Sequence, residues 1–282
     1  MPLVRRGPGT LYRRLQSVRF LLGRDRRAVL AFLAARYPIP LSRAARLDLV
    51  RRFVAITNHV RSYHRQAEML AVADRVLRRA GRPGLTVVEC GAGKGGGTAK
   101  LSLVARLAGA RLVVFDSFRG VPANAERHVD LLGRRMTFRE GAFRGRLREV
   151  QRTVARFGAP EVVEWRKGWF ADTLPAFEGA VDVALLDVDL LASTRTCLVH
   201  LIPRLRPDGV LFSQDGHLRA TVDLLRDDAF WRDDVGVDAP TIRGLGAAKL
   251  LEIEPRRMRS ARLPAATPVR RGSRGVPSDA TT

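Results

Sequence analysis

The sequence predicts an α/β fold: a doubly wound, mostly parallel sheet with an antiparallel late strand, preceded by an N-terminal helical extension. Three stretches carry this prediction. The first is an apolar run, residues 85–88, that ends on Glu89 and is followed by a turn containing Gly91, Gly93, Gly95, Gly96 and Gly97. A helix-like segment, 98–107, then leads to a second apolar run, 112–115, that closes on Asp116. Strand, glycine loop, helix and strand in this order make half of a nucleotide-binding α/β unit. The second stretch, 183–186, is apolar throughout, the composition of a parallel strand covered on both faces, and it leads into Asp187 and Asp189. The third is a further short strand, 209–212, whose tip reads Ser213-Gln214-Asp215-Gly216-His217.

The remaining elements follow in order. From Leu11 the pattern suggests one or two basic amphipathic helices, with Leu11, Leu15, Val18 and Leu22 at three- and four-residue spacings. Pro38 and Pro40 break the run. Residues 41–79 read as further helix, on which His64 and Glu68 lie one turn apart, sharing a face that could cap an acceptor pocket. Residues 123–146 are polar and Arg-rich and read as a loop or lid. Residues 147–157 are helical, 162–166 form a short strand, and 193–205 and 218–230 are helices. Residues 249–253 are the late strand, placed near one edge, and 256–282 read as a disordered basic tail. The chain thus divides into a basic helical extension (1–82), an α/β domain (83–255) and a tail (256–282).

The net charge of +22 resembles a nucleic-acid signal until it is located. Residues 1–82 carry +15 and residues 256–282 carry +6, whereas residues 83–255 carry only +1. The α/β domain is therefore neutral, which argues against a specific nucleic-acid function. The arms suit peripheral membrane contact or packing in a homodimer. No apolar run is long enough to cross a bilayer, and no signal-peptide pattern opens the chain. The two cysteines, Cys90 and Cys197, lie in apolar contexts without metal or redox spacing, consistent with a reducing, cytoplasmic setting.

The chemistry lies at the strand tips, because open α/β sheets bind ligands outside the carboxyl ends of their strands. The glycines let the backbone turn tightly and approach a ligand. An acid at the tip of the second strand, Asp116, can accept hydrogen bonds from a ribose diol. Glu89 decides between cofactors: it would repel a dinucleotide's pyrophosphate, but suits the cationic amino group of S-adenosylmethionine. Trp169 and Phe170 follow a strand and could line an adenine pocket. Asp187 and Asp189 point to one side of an extended chain, and with Asp215 they should converge beside the glycine loop. Buried carboxylates need a partner, which here is a cation, a proton or a substrate hydroxyl.

These pieces together resemble the macrocin O-methyltransferases, class I S-adenosylmethionine enzymes with a Rossmann-like seven-stranded sheet that methylate sugar hydroxyls in antibiotic pathways. The resemblance runs in order from about 85 to 217. It comprises Glu89-Cys-Gly91-Ala92-Gly93, Phe115-Asp116-Ser117-Phe118-Arg-Gly120-Val-Pro122, Lys167-Gly168-Trp169-Phe170-Ala-Asp172-Thr173-Leu174-Pro175, Asp187-Val-Asp189-Leu and the Asp215 turn. It implies that Glu89, Gly91, Ala92, Gly93 and Thr98 hold the methionine end of the donor. It implies Asp116 at the ribose, and Ser117, Phe118, Gly168 and Trp169 near the adenine. Asp187 would touch the donor and ligate a divalent metal, Mg²⁺, and Asp189 would be the general base. Where family members have paired acids at the next tip, this chain has Gln214-Asp215. Gln214 and Asp215 complete the implied metal set, Gln214 more weakly and without charge, and His217 becomes a stand-in ligand or base. The implied acceptor is a small molecule or glycan. Two other readings fit the same residues: a nicotinamide (NAD(P))-dependent oxidoreductase, and a non-catalytic donor-binding protein that docks a partner or membrane through 1–82.

Overall fold

The computed structural model describes residue 23 and residues 25–255; the expected helix around Leu11–Leu22 and the tail 256–282 lie outside the described residues. In chain order the helices and strands begin with α1 (Arg26–Ala34), α2 (Arg43–His59) and α3 (Gln66–Leu77). They continue with β1 (Thr86–Cys90), α4 (Gly96–Ala108), β2 (Arg111–Asp116), β3 (His128–Val129), β4 (Arg135–Met136), α5 (Leu147–Phe157) and β5 (Val163–Lys167). The chain then forms α6 (Phe170–Thr173), β6 (Val181–Leu186), α7 (Leu191–Leu201), β7 (Leu205–Ser213), α8 (Arg219–Arg226), β8 (Thr241–Arg243) and β9 (Leu251–Glu254).

Seven strands form one sheet in the order β5-β2-β1-β6-β7-β9-β8. The first five are mutually parallel, while β9 runs antiparallel to β7 and β8 antiparallel to β9. The expected fold is therefore present, with a second antiparallel strand, β8, beyond the expected one. The strand order reverses between β1 and β6, which places a crevice at their carboxyl ends.

Successive residues of each strand feed opposite layers. Val87, Leu112 and Leu185 belong to one buried cluster and Val88, Val113 and Leu186 to the other. The first cluster also contains Val29 and Phe32 of α1, Leu49 and Phe53 of α2, and Met69 and Val76 of α3. The N-terminal helices thus share a core with the sheet and with α4. The second layer is supplied by α7 (Cys197, Leu198, Leu201), Leu225 of α8 and the π-helical turn Phe230–Val235, whose Trp231 is fully buried. Both cysteines are free and buried.

Two expectations are corrected. Residues 41–79 are not one helix: the chain leaves helical geometry after His59 and re-enters it at Gln66, so residues 60–65 form a strap. His64 and Glu68 consequently do not share a helical face; Glu68 closes the start of α3 by accepting from Arg65 N at 2.7 Å. Residues 123–146 are not wholly irregular but contain the β3–β4 hairpin, in which His128 pairs with Met136.

Gly91 shows why one glycine was obligatory. It has φ +94°, and a Cβ there would lie 2.0 Å from the backbone oxygen of Asp187. The tips of β1 and β6 come this close only because there is no side chain between them.

Candidate active site

A cleft of about 590 Å³ opens at the carboxyl edge of the sheet, between the glycine loop, the strap 60–65 and the lid. Behind the glycine-loop wall lies Glu89, which is 1% exposed and has neither carboxylate oxygen hydrogen-bonded among the described residues. Burial pushes its carboxyl up to about 8, against an opposing effect of Thr98. A buried acid without a partner is a demand for a cation. Asp116 holds the glycine loop: its Oδ2 accepts from Ala92 N at 2.7 Å and Gly93 N at 3.3 Å, and its Oδ1 from Phe118 N at 2.5 Å. Burial raises this carboxyl too, while those backbone hydrogen bonds hold it down. Oδ1 has taken one donor and keeps a second acceptor site for a hydroxyl. Ser117, Gly168, Trp169 and Phe170 line the cleft beyond it, and the Arg119 guanidinium lies 5.6 Å from the Trp169 ring centre.

Asp187, Asp189 and Asp215 each offer a carboxylate oxygen within 4.8 Å of the others. Their environments differ. For Asp187 burial acts upward, but the His64 imidazole beside it prevails and holds the carboxyl below its usual value. Asp189 is pushed up to about 8 by burial and by the charges of Asp187 and Asp215. Asp215 is raised to about 7, again by burial and then by Asp187. Its Oδ2 accepts from Val188 N and Asp189 N at 3.4 and 3.2 Å, and its buried Oδ1 has no partner among the described residues. The triad fits a divalent cation: three convergent hard oxygens, one of them orphaned. His217 lines the same cleft with Nδ1 unpartnered, and burial, then Lys249, lowers its imidazole.

Four expected residues do not line the cleft: Glu89, which lies behind Gly97, and three others. Gln214 does not line the cleft; its Nε2 donates to Glu68 Oε2 at 3.4 Å. It stands in the turn that follows β7, where strand alternation no longer sets side-chain direction, and the turn leaves its side chain among buried groups behind the sheet tip. Thr98 is buried beneath Glu89, and Phe118 packs edge-on against Trp165 with ring centres 6.0 Å apart. Neither faces the cleft; they bear on it through Glu89 and Asp116.

Residues 57–243 match the sequence family described as macrocin-O-methyltransferase (TylF). The chain belongs to this family. The matched span begins before the strap, so residues 60–65 fall within the macrocin O-methyltransferase match, although the motifs begin only at 85. Among curated proteins, 8-demethyl-8-(2,3-dimethoxy-alpha-L-rhamnosyl)-tetracenomycin-C 4'-O-methyltransferase of Streptomyces olivaceus is 34% identical over 166 residues, which cover 57% of this chain. The match spans 62% of that relative's length, less than two thirds. The solved structure of the O-methyltransferase NovP is similar with a TM-score of 0.52 and 20% identity, covering 88% of this chain and 100% of that one. At that identity the likeness concerns the fold.

Of the rest of the cleft in this member of the macrocin O-methyltransferase family, the sequence had pointed to His64, as part of a helical face over an acceptor pocket; Lys249 and the aromatic wall had no local signal. His64 reaches in from the strap, its Nε2 3.1 Å from Asp187 Oδ2 and its Nδ1 3.2 Å from Ser62 Oγ. Lys249, from the loop before β9, lines the cleft and donates to the Tyr63 carbonyl at 3.3 Å. The outer wall is aromatic. Tyr63 of the strap meets Phe143 of the lid edge-on at 5.2 Å, and Phe138 lies 6.1 Å from Phe143. The lid closes tightly on the glycine loop, since a Cβ at Gly145 would sit 2.0 Å from the Gly93 oxygen.

Proposed function

We propose that this chain transfers a methyl group from S-adenosylmethionine to a hydroxyl of a sugar on a glycosylated natural product. The observation that carries the reading is the gathering of Asp187, Asp189 and Asp215 beside the glycine loop. A buried cluster of acids at a donor cleft has chemical work only if it takes up a cation or a proton. The sugar as acceptor is supported by the rhamnosyl substrate in the name of the Streptomyces olivaceus relative.

The donor, when bound, supplies a methyl group already activated by a cationic sulfur, whose bonding electrons stay on sulfur as the methyl leaves. Glu89 meets the amino group of the methionine end, Asp116 Oδ1 a ribose hydroxyl, and Trp169 the adenine. The chain's remaining tasks are alignment and proton removal. Asp189 takes the acceptor's hydroxyl proton; a carboxyl raised to about 8 is a stronger base than an ordinary aspartate once ionised. Asp187 and Asp215 would hold Mg²⁺, which when bound stabilises negative charge on the acceptor oxygen and leaves Asp189 for the proton. The aromatic wall of Tyr63, Phe138 and Phe143 excludes water and flanks the aglycone side.

Two measurements test this. Calorimetric titration with S-adenosylhomocysteine and with NAD⁺ separates the methyltransferase from the oxidoreductase; binding of NAD⁺ alone would end the proposal. Incubation with methyl-labelled donor and the relative's rhamnosyl-tetracenomycin, or simpler rhamnosides, should place label on a sugar oxygen. Donor binding with no label in any sugar would leave a donor-binding protein instead.

A further inference from the structure

Asp189 has φ +62°, in the left-handed region that non-glycine residues avoid. Something must hold it there, because a turn of this kind persists only when its surroundings over-determine it. Two carboxylates grip the turn from either side. Before Asp189, Asp215 Oδ2 accepts from Val188 N and Asp189 N. After it, Glu126 Oε2 accepts from Leu191 N at 2.7 Å and Glu126 Oε1 from Ala192 N at 3.0 Å. These are the first two amides of α7, which the residue at its own N-cap, Leu190, does not satisfy with its side chain.

Glu126 belongs to the lid, far from α7 in sequence. It is also the near end of a chain of contacts to the acceptor wall: His128 Nε2 lies 3.5 Å away, and the His128 ring stands edge-on to Phe138 at 4.7 Å. The same hairpin is pinned at the neighbouring strand tip, where Asp130 bridges to Leu218 and Leu131 N donates to the His217 oxygen at 3.0 Å.

We propose that Glu126 is the positioning residue of Asp189. It fixes the turn that presents the Asp189 carboxylate to Asp187 and Asp215, and so ties the seating of the lid to the placement of that carboxylate. Only the word base for Asp189 rests on the proposed function; the placement does not.

The test uses the full chain carrying Glu126→Ala or Glu126→Gln, with Ser42→Ala as a control that removes the hydrogen bond at the start of α2. In crystals of Glu126→Ala, Asp189 is expected to leave the left-handed region and its carboxylate to leave the triad. Affinity for S-adenosylhomocysteine should stay within about two-fold, because the glycine loop is untouched. Turnover of the rhamnosyl-tetracenomycin probe should fall about 10²-fold in kcat, the usual cost of a misplaced reacting group, with the donor KM unchanged. Glu126→Gln keeps one of the two acceptor oxygens and should recover part of kcat; Ser42→Ala should lower the unfolding midpoint without moving kcat. Asp189 remaining near φ +62° and within the triad in Glu126→Ala overturns the proposal. Should the alanine variant fail to fold, Glu126→Leu, which removes both acceptor oxygens and keeps the bulk, is read the same way: Asp189 in place with wild-type kcat overturns the proposal. Asp189 displaced with turnover intact keeps the positioning role and removes the base assignment instead. If wild type does not turn over the probe, the crystal structures alone decide.

Discussion

His64 Nε2 stands 3.1 Å from Asp187 Oδ2, joining the N-terminal strap to the tip of β6 across the mouth of the donor site. Ser62 Oγ orients the other ring nitrogen at 3.2 Å, and the space above Gly97 is bounded by both His64 and Glu89. We expect His64→Ala to weaken S-adenosylhomocysteine binding about 10-fold, since it opens the space above Gly97 and leaves the Asp187 carboxylate without its charged neighbour, a loss of about 1–3 kcal/mol. Calorimetry reads this directly, and unchanged affinity would remove His64 from the donor site.

Asp189→Asn is the cleanest probe of proton removal. Asparagine tolerates a positive φ, so the turn should survive while the base is lost. Turnover should drop about 10²–10⁴-fold, with donor affinity within two-fold of wild type. Near-normal turnover would exclude Asp189 as the base.

The raised acids make the empty protein sensitive to alkali. Glu89 and Asp189 ionise at about 8 and Asp215 at about 7, whereas unfolded carboxyls do so near about 4. Between these values the unfolded chain has released protons that the folded one still holds, so stability falls as pH rises. The lowered histidines, His128, His200 and His217, act in the opposite direction around and below their ordinary value of 6.5, and Lys100, which burial lowers to about 8, begins to do so only toward the top of this range, where the acids outnumber it. The unfolding midpoint of the ligand-free protein should therefore fall from pH 6.5 to 8, by at most about 1.4 kcal/mol per group per pH unit. S-adenosylhomocysteine with Mg²⁺ should flatten the slope; a midpoint that rises over this range contradicts the burial of these acids.

If the triad holds a divalent cation, chelation should abolish turnover and added Mg²⁺ restore it. Mn²⁺ titrated by electron paramagnetic resonance should bind at one site per chain, lost in Asp215→Asn. Gln214→Ala should leave that site intact, because Gln214 does not line the cleft and its Nε2 is turned to Glu68. Full activity after chelation would show that the acids act on protons alone.

Much of the architecture was legible because it is local. Residues 85–88, 112–115 and 183–186 are mostly apolar runs of strand length, and each stands in the sheet as a buried, parallel strand with an acid at or next to its end. Residues 147–157 form α5 with the boundaries expected. The strap was invisible: residues 60–65 contain neither proline nor glycine, so nothing in the pattern announces the break at Val60, where the backbone turns extended. The β3–β4 hairpin and β8 are two or three residues long, too short to show periodicity.

The sequence by itself determined the strand tips and the side chains placed on them, because alternation along a strand and the demands of a glycine turn operate over a few residues. Only the tertiary structure decided which of those side chains meet. It set His64 on Asp187, withdrew Gln214 to Glu68, and placed Glu126 on the turn that carries Asp189. Each of these contacts joins segments distant in the chain. Such pairings follow from how layers pack around a shared core, and no local pattern records that.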